Sequence, residues 1–185
     1  MRANRAAARS TDLSAAPDRH VRLFLALWPG DASRRALAAA RDRWAWPQGA
    51  APVPTARLHL TLHFIGALPA ARLAELGDAL AVPFAPFTLA FGRAELWHHG
   101  IASLCPIEVP GRLRELHAGL GAALRGAGIA TETRPFRPHV TLAKRAQGAT
   151  PPPDEPRWRW PLRGYALVVS EQRPALTYRV LRRYG

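Results

Sequence analysis

The apolar positions fall into short runs of two kinds, some near-continuous or alternating and some spaced three and four apart. Val21 to Trp28 (VRLFLALW) is apolar almost throughout and is stopped by Pro29-Gly30-Asp31, which predicts a buried strand followed by a helix cap. Asp31 to Trp44 then places Ala32, Leu37, Ala40 and Trp44 near helical spacing, with Arg34, Arg35, Arg41 and Arg43 free to face water. After a Pro/Gly/Ala loop from Pro47 to Pro54, Arg57 to Gly66 (RLHLTLHFIG) alternates as a strand does. Pro69 to Ala81 repeats the helical spacing through Leu73, Leu76 and Leu80 until Pro83 and Pro86 interrupt it. Phe87 to Leu96 and Ile101 to Val109 read as strands joined by a turn at Trp97-His98-His99-Gly100. Gly111 to Gly126 is a third helix carrying Leu113, Leu116, Leu120 and Leu124 on one side. Phe136 to Lys144, Leu162 to Ser170 and Leu176 to Arg183 complete the strands, with an exposed proline-rich loop over 147–156. Strands and helices interleave without a regular parallel repeat, so the expected class is α+β with a mostly antiparallel sheet.

Composition narrows this picture. At 185 residues and 48% hydrophobic content, the chain can bury a core and is not disordered throughout. No apolar run reaches the roughly 18 to 20 residues that span a bilayer, so no membrane partner is expected. Cys105 is the lone cysteine and lies in an apolar run, which excludes an internal disulfide framework and a Cys-rich zinc site. It reads as a small buried residue in a reducing, cytoplasmic setting rather than as a nucleophile. The formal charge of +13 favours a polyanionic partner, although an Ala/Arg/Pro-rich composition produces such a charge without one. Residues 1–20 read as a flexible basic tail lacking the apolar core of a secretory signal, and residues 21–185 as one bilobal domain.

The chemistry lies in an echo. His59-Leu60-Thr61-Leu62 recurs eighty residues later as His139-Val140-Thr141-Leu142, each in a strand-like run. Alternation puts His59 and Thr61 on one face and Leu58, Leu60, Leu62 and Phe64 on the other, and it separates His139 and Thr141 from Val140 and Leu142 likewise. Two such strands side by side line one cleft. Two imidazoles and two hydroxyls suit a phosphodiester: one imidazole activates a nucleophile, the other protonates a leaving oxygen, and the hydroxyls donate to phosphate oxygens. Neither a phosphate-binding loop, a nucleophilic Ser or Cys motif, nor a metal-ligand cluster competes for this work, and no cofactor is implied. The adjacent His98 and His99 are not expected to bind metal, because strand neighbours point to opposite faces.

Through VRLFLALWP, LHLTLHFIG, RPFRPHVTLAKR and the closing LVVSEQ and YRVLRRY, the chain resembles the 2H phosphoesterases, and within them the RNA 2′,3′-cyclic phosphodiesterase, or 2′-5′ RNA ligase, family. The resemblance implies a two-lobed fold with two antiparallel sheets flanked by helices around a central cleft. It implies metal-free hydrolysis of a terminal RNA 2′,3′-cyclic phosphate to a 2′-phosphomonoester, with His59 as general acid on the departing 3′ oxygen and His139 as general base on water. The reverse, ligating direction exchanges those roles. Thr61 and Thr141 then hold phosphate oxygens, with Lys144 standing where an Arg is common and supplying charge without a bidentate fork. Arg134 is a second candidate for phosphate, and Phe136 for base stacking or core packing. Arg137 shares strand parity with His139, and His63 shares it with His59 and Thr61, which places His63 at the cleft rim or against the nucleotide. The expected partners are RNA ends or cyclic nucleotides, with no obligate protein partner and a monomeric state. A related enzyme for small cyclic nucleotides or ADP-ribose cyclic phosphate, and a non-catalytic RNA-binding module, are the alternatives.

Overall fold

Prolines and glycines set most element boundaries. A computed structural model of the protein describes residues 19–154, 157–172 and 174–185, so the tail expected over residues 1–20 lies outside the described residues except for Arg19 and His20. In chain order the elements are β1 (His20–Leu27), α1 (Asp31–Asp42), β2 (Ala51–Pro52), β3 (Leu60–Pro69), α2 (Leu73–Ala79), β4 (Phe87–Trp97), β5 (Ile101–Pro106), α3 (Gly111–Gly126), β6 (Val140–Lys144), β7 (Trp158–Leu162), β8 (Tyr165–Glu171) and β9 (Thr177–Tyr184). None of the described helices is long and apolar enough to cross a membrane.

The class is α+β, and every described strand pair is antiparallel. One half of the sheet runs β7-β4-β5-β6 and the other β3-β1-β8-β9, with β2 added beside β6. The two expected sheets are continuous, because they join through the single pair Leu60↔Val140 between β3 and β6. That seam runs through the middle of both His-x-Thr motifs.

Several boundaries differ from the sequence reading. The strand expected from Arg57 starts at Leu60, because Thr55–Arg57 coils as a 3₁₀ turn behind Pro54, with Arg57 N donating to Pro54 O at 2.8 Å. The strand expected from Phe136 starts at Val140, since Pro135 and Pro138 have no N–H for a ladder. The helix expected over Pro69 to Ala81 divides into a 3₁₀ turn at Ala70–Arg72 and the short α2. The run expected from Leu162 to Ser170 breaks at Arg163-Gly164, and its first part is the end of β7, a strand assigned to no element by pattern. Likewise β5 stops at Pro106, short of Val109.

Packing explains the two-sided apolarity of β1. Leu23, Leu25 and Leu27 enter the main core with Leu37, Ala40 and Trp44 and with the α3 stripe Leu113, Leu116, Leu120 and Leu124. Each such leucine contributes about 2 kcal/mol on burial. Phe24 and Ala26 point the other way, into a small cluster with Ala166 and Val168 flanked by Trp28, Tyr178 and Val180. This second face is the one the site uses. Cys105 is buried, as expected, and burial with the nearby Glu95 charge pushes its thiol up to about 12, which leaves it without thiolate character.

The β4–β5 turn turns on one glycine. Gly100 has φ of +69°, and a Cβ there meets the backbone N of Ala146 at 2.8 Å. Gly100→Ala is expected to cost about 1–3 kcal/mol, lowering Tm by about 2–4 °C for each kcal/mol, which a thermal unfolding curve followed by circular dichroism checks. An unchanged Tm would show that the turn relaxes freely.

Candidate active site at the seam of the two half-sheets

The Leu60↔Val140 pairing brings the two motifs together. Antiparallel continuation of this register sets His59 opposite Thr141 and Thr61 opposite His139, an arrangement with approximate twofold character. All four residues line one cavity of about 320 Å³, together with Lys144 and an apolar wall that includes Phe24, Phe64 and Tyr178. The backbone leading into the first motif is held by arginines of α1. Arg34 donates to the carbonyls of Ala56 and Pro29, each at 2.9 Å, and Arg41 donates to Val53 O at 2.6 Å.

Each histidine is fixed in the same way. His59 Nδ1 donates to Arg57 O at 2.6 Å, and His139 Nδ1 donates to Arg137 O at 2.8 Å, in both cases the carbonyl two residues back. That bond places the ring proton on Nδ1 and leaves Nε2 as the reactive nitrogen. His59 Nε2 accepts from the Thr61 hydroxyl at 3.0 Å, so in the free cleft the first motif is closed on itself.

Aromatic packing holds the rings. His59 lies 5.7 Å from Trp28 in a stacked arrangement and 4.9 Å from Phe24, with Tyr178 edge-on at 5.4 Å. His139 lies 4.4 Å from Trp97. Burial lowers His59 to about 4, assisted by the positive charges of His139, Arg34 and Lys144 and opposed by the Arg57 carbonyl. His139 is lowered too, chiefly by burial. The Arg137 carbonyl opposes this, the Arg137 guanidinium adds to it, and Glu95 opposes it. Both rings are therefore neutral at pH 7 in the free cleft.

The remaining sequence candidates line a second cavity of about 520 Å³, which meets the first at Thr61, Phe64 and His139. Arg134, Phe136, Arg137 and His63 are all there. Arg134 is exposed and pairs with Glu132 at 3.1 Å, and Arg137 pairs with Glu95 at 3.4 Å. Phe136 stacks on His117 at 3.9 Å, and His117 stacks on His63 at 4.0 Å, forming one continuous ladder of rings.

Two residues of the first motif strand are not where alternation put them. His63 was expected on the face of His59 and Thr61, but it pairs with Leu25 on the core side and is 7% exposed, with its Nε2 bonded to His117 O at 2.8 Å. Phe64 was expected inward with Leu60 and Leu62, but it is 42% exposed and pairs with Phe24 on the cleft side. The cause is a bulge: β1 skips Leu62 between Leu25↔His63 and Ala26↔Thr61, so parity reverses beyond Thr61.

Sequence reasoning did not identify Trp28, Trp97 or Glu95 as site residues. One signal was available: both motifs carry Arg two residues before His, Arg57 and Arg137, whose carbonyls fix the rings.

Comparisons with known proteins show the family and the fold. The family model described as the 2′-5′ RNA ligase superfamily matches residues 29–172. A Thermus thermophilus protein named RNA 2′,3′-cyclic phosphodiesterase is 35% identical over 178 residues, covering 89% of this chain and 90% of the relative. An Escherichia coli protein of the same name is 30% identical over 145 residues, covering 75% of this chain and 81% of the relative. Among solved structures, E. coli LigT complexed with 3′-AMP superposes with a TM-score of 0.80 at 27% identity, covering 89% of this chain and 97% of that one.

Proposed function

The chain belongs to the 2′-5′ RNA ligase superfamily, and from that premise we propose that it is an RNA 2′,3′-cyclic phosphodiesterase whose chemistry is carried by His59 and His139 without a metal. The observation that supports the mechanism is the pair of imidazoles lining one cavity with two threonine hydroxyls, each with Nδ1 donating to its own backbone, His59 Nε2 being bonded to the Thr61 hydroxyl in the free cleft. Residues 21–185 act as one catalytic domain, and the +13 charge favours a polyanion such as RNA. The lone buried cysteine fits a cytoplasmic setting.

In the forward step His139 Nε2 takes a proton from water as its oxygen attacks phosphorus, and the bond to the ribose 3′ oxygen breaks. His59 gives that oxygen a proton, so the products are a 2′-phosphomonoester and a free 3′-hydroxyl. Thr61 and Thr141 donate to the non-bridging oxygens and Lys144 offsets their charge. A 5′-hydroxyl in place of water joins two strands through a 2′-5′ bond by the same displacement, with His139 taking the hydroxyl proton and His59 giving one to the 3′ oxygen, so ligation keeps the two roles where an exchange was expected. The roles exchange when the 3′-hydroxyl attacks that bond, re-forming the cyclic phosphate and releasing the 5′-hydroxyl.

The direct test is a short RNA ending in a 2′,3′-cyclic phosphate, incubated with the protein in EDTA. Mass and phosphatase sensitivity of the product should identify a 2′-phosphate. Turnover of cyclic mononucleotides or ADP-ribose cyclic phosphate alone would keep the chemistry and change the substrate. No turnover, with salt-sensitive RNA binding retained, would replace catalysis by a binding role.

The pKa directions set the expected pH dependence. His59 must carry a proton, and its free-enzyme pKa is lowered to about 4, so the competent fraction falls as pH rises above that value. His139 must be neutral, and lowering its pKa keeps it so into the acid range. The profile of kcat/KM, which reports the free enzyme, is therefore expected to peak below pH 6.5 and to decline toward pH 8. The phosphodiester anion favours protonated His59, so kcat alone should extend to higher pH than kcat/KM. A kcat/KM that still climbs between pH 7 and 9 would overturn the assignment of His59 as the acid.

A further inference from the structure

Each catalytic histidine has a tryptophan beside it and an arginine near that tryptophan, His59 stacked on Trp28 and His139 tilted against Trp97. His59 packs on Trp28, and the Arg34 guanidinium lies 5.3 Å from that indole; His139 packs on Trp97, and the Arg137 guanidinium lies 4.5 Å from that one. Arg34 is held by backbone carbonyls. Arg137 is instead held by a carboxylate, Glu95, whose Oε2 also accepts from Trp97 Nε1 at 2.6 Å. Glu95 thus ties together the indole that packs on His139 and the cation beside it. Sheet register brings it to the site: Glu95 pairs with Ser103 on β5, and Ser103 pairs with Thr141 on β6, so the three form one row leading to the second motif. Its side chain is 29% exposed, which limits screening of its charge by water.

We propose that Glu95 is a positioning residue for this reaction: its carboxylate pins the Trp97 indole against His139 and offsets the Arg137 charge, so that His139 accepts the proton of the attacking water. The inference rests on the proposed role of His139 as base. A general base becomes an imidazolium in the transition state, and a fixed carboxylate nearby stabilises that charge. Without it, Arg137 would be an unbalanced cation next to a ring that must become positive. The other cations facing His139 are His59 across the cleft, when protonated, and Lys144 at the far end of β6 in the same cavity, and Glu95 itself also faces Arg93, whose Nε lies 3.9 Å from Oε1. Neither His59 nor Lys144 has a carboxylate partner at hydrogen-bond distance among the described residues, so Glu95 is the local negative charge that His139 senses.

Glu95→Gln separates charge from anchoring, because the amide oxygen still accepts from the indole. With the full chain, the His139 ring is titrated by NMR and turnover is measured on cyclic-phosphate-ended RNA. Glu95→Gln is expected to move the His139 midpoint down by about half to one pH unit and to lower kcat about 3- to 10-fold, with KM within about twofold. Glu95→Ala also frees the indole and should lower kcat further. Arg137→Gln should move the midpoint up, opposite to Glu95→Gln. An unmoved midpoint in Glu95→Gln, or a loss confined to KM, overturns the proposal. The NMR arm needs no substrate, so a wild type inactive on this RNA whose midpoint still moves in Glu95→Gln would overturn the cyclic-phosphate reading and support the Glu95–His139 coupling.

Discussion

Replacing His139 by alanine is expected to lower kcat on cyclic-phosphate-ended RNA by about 10²- to 10⁴-fold, and replacing His59 should do the same. Each ring performs one of the two proton transfers, and the described cavity offers no second base placed as either Nε2 is. The two substitutions should not compound. Once one transfer is lost the other gains nothing from being timed to it, so the double variant should fall little below the worse single one. Stability separates the two sites. His59 is packed by Phe24, Trp28 and Tyr178, and its loss leaves a gap among three rings, whereas among the described residues the aromatic neighbour of His139 is Trp97. His59→Ala should therefore show the larger fall in Tm, while His139→Ala reads chemistry more cleanly. Single-turnover kinetics with thermal unfolding in parallel checks both statements. A His139→Ala protein with near wild-type turnover would remove His139 from the mechanism.

The motif pair was legible in the sequence because it sits where strand periodicity is simple. Leu60 and Val140 are each flanked by a polar residue on both sides, and a period of two is enough to put His59 with Thr61 and His139 with Thr141. Their meeting at one seam was an expectation of the resemblance and of the shared polar face, and the pair Leu60↔Val140 realises it. Alternation failed two residues later. A bulge at Leu62 depends on how β1 lies against β3, and nothing in LTLHFIG announces it, so His63 and Phe64 were assigned to each other's faces. The strand starts at Leu60 and Val140 were partly legible, since Pro54, Pro135 and Pro138 stood in view. The Glu95 network was not legible. Glu95 lies over forty residues from His139 along the chain, and only the β4–β5–β6 register makes them neighbours. The α3 stripe, by contrast, followed directly from Leu113, Leu116, Leu120 and Leu124, because helical spacing needs no partner to be read.

Thr61→Val and Thr141→Val form the second test of large effect, since valine keeps the shape of threonine and removes only the hydroxyl. Each is expected to lower kcat by about 10²- to 10³-fold, the range for deleting one donor to a transition-state oxyanion. The two threonines start from different states. Thr61 already donates to His59 Nε2 at 3.0 Å and must turn from the ring to reach a phosphate oxygen, whereas no such bond to His139 ties Thr141. Turning Thr61 gives up a hydrogen bond on binding and releases His59 Nε2, the atom that must carry the proton to the 3′ oxygen. Thr61→Val therefore has two effects of opposite sense: it deletes a phosphate donor, and it leaves His59 unopposed in the free enzyme. The loss of a donor to Nε2 favours the protonated ring, because that donor bonds the neutral form alone. The acid arm of the mechanism should then titrate at higher pH in Thr61→Val than in wild type, and Thr141→Val should leave it where it was. Paired pH profiles of kcat/KM read this difference directly. Equal losses with identical profiles would show that Thr61 acts on phosphate alone and that its bond to His59 has no part in setting the proton.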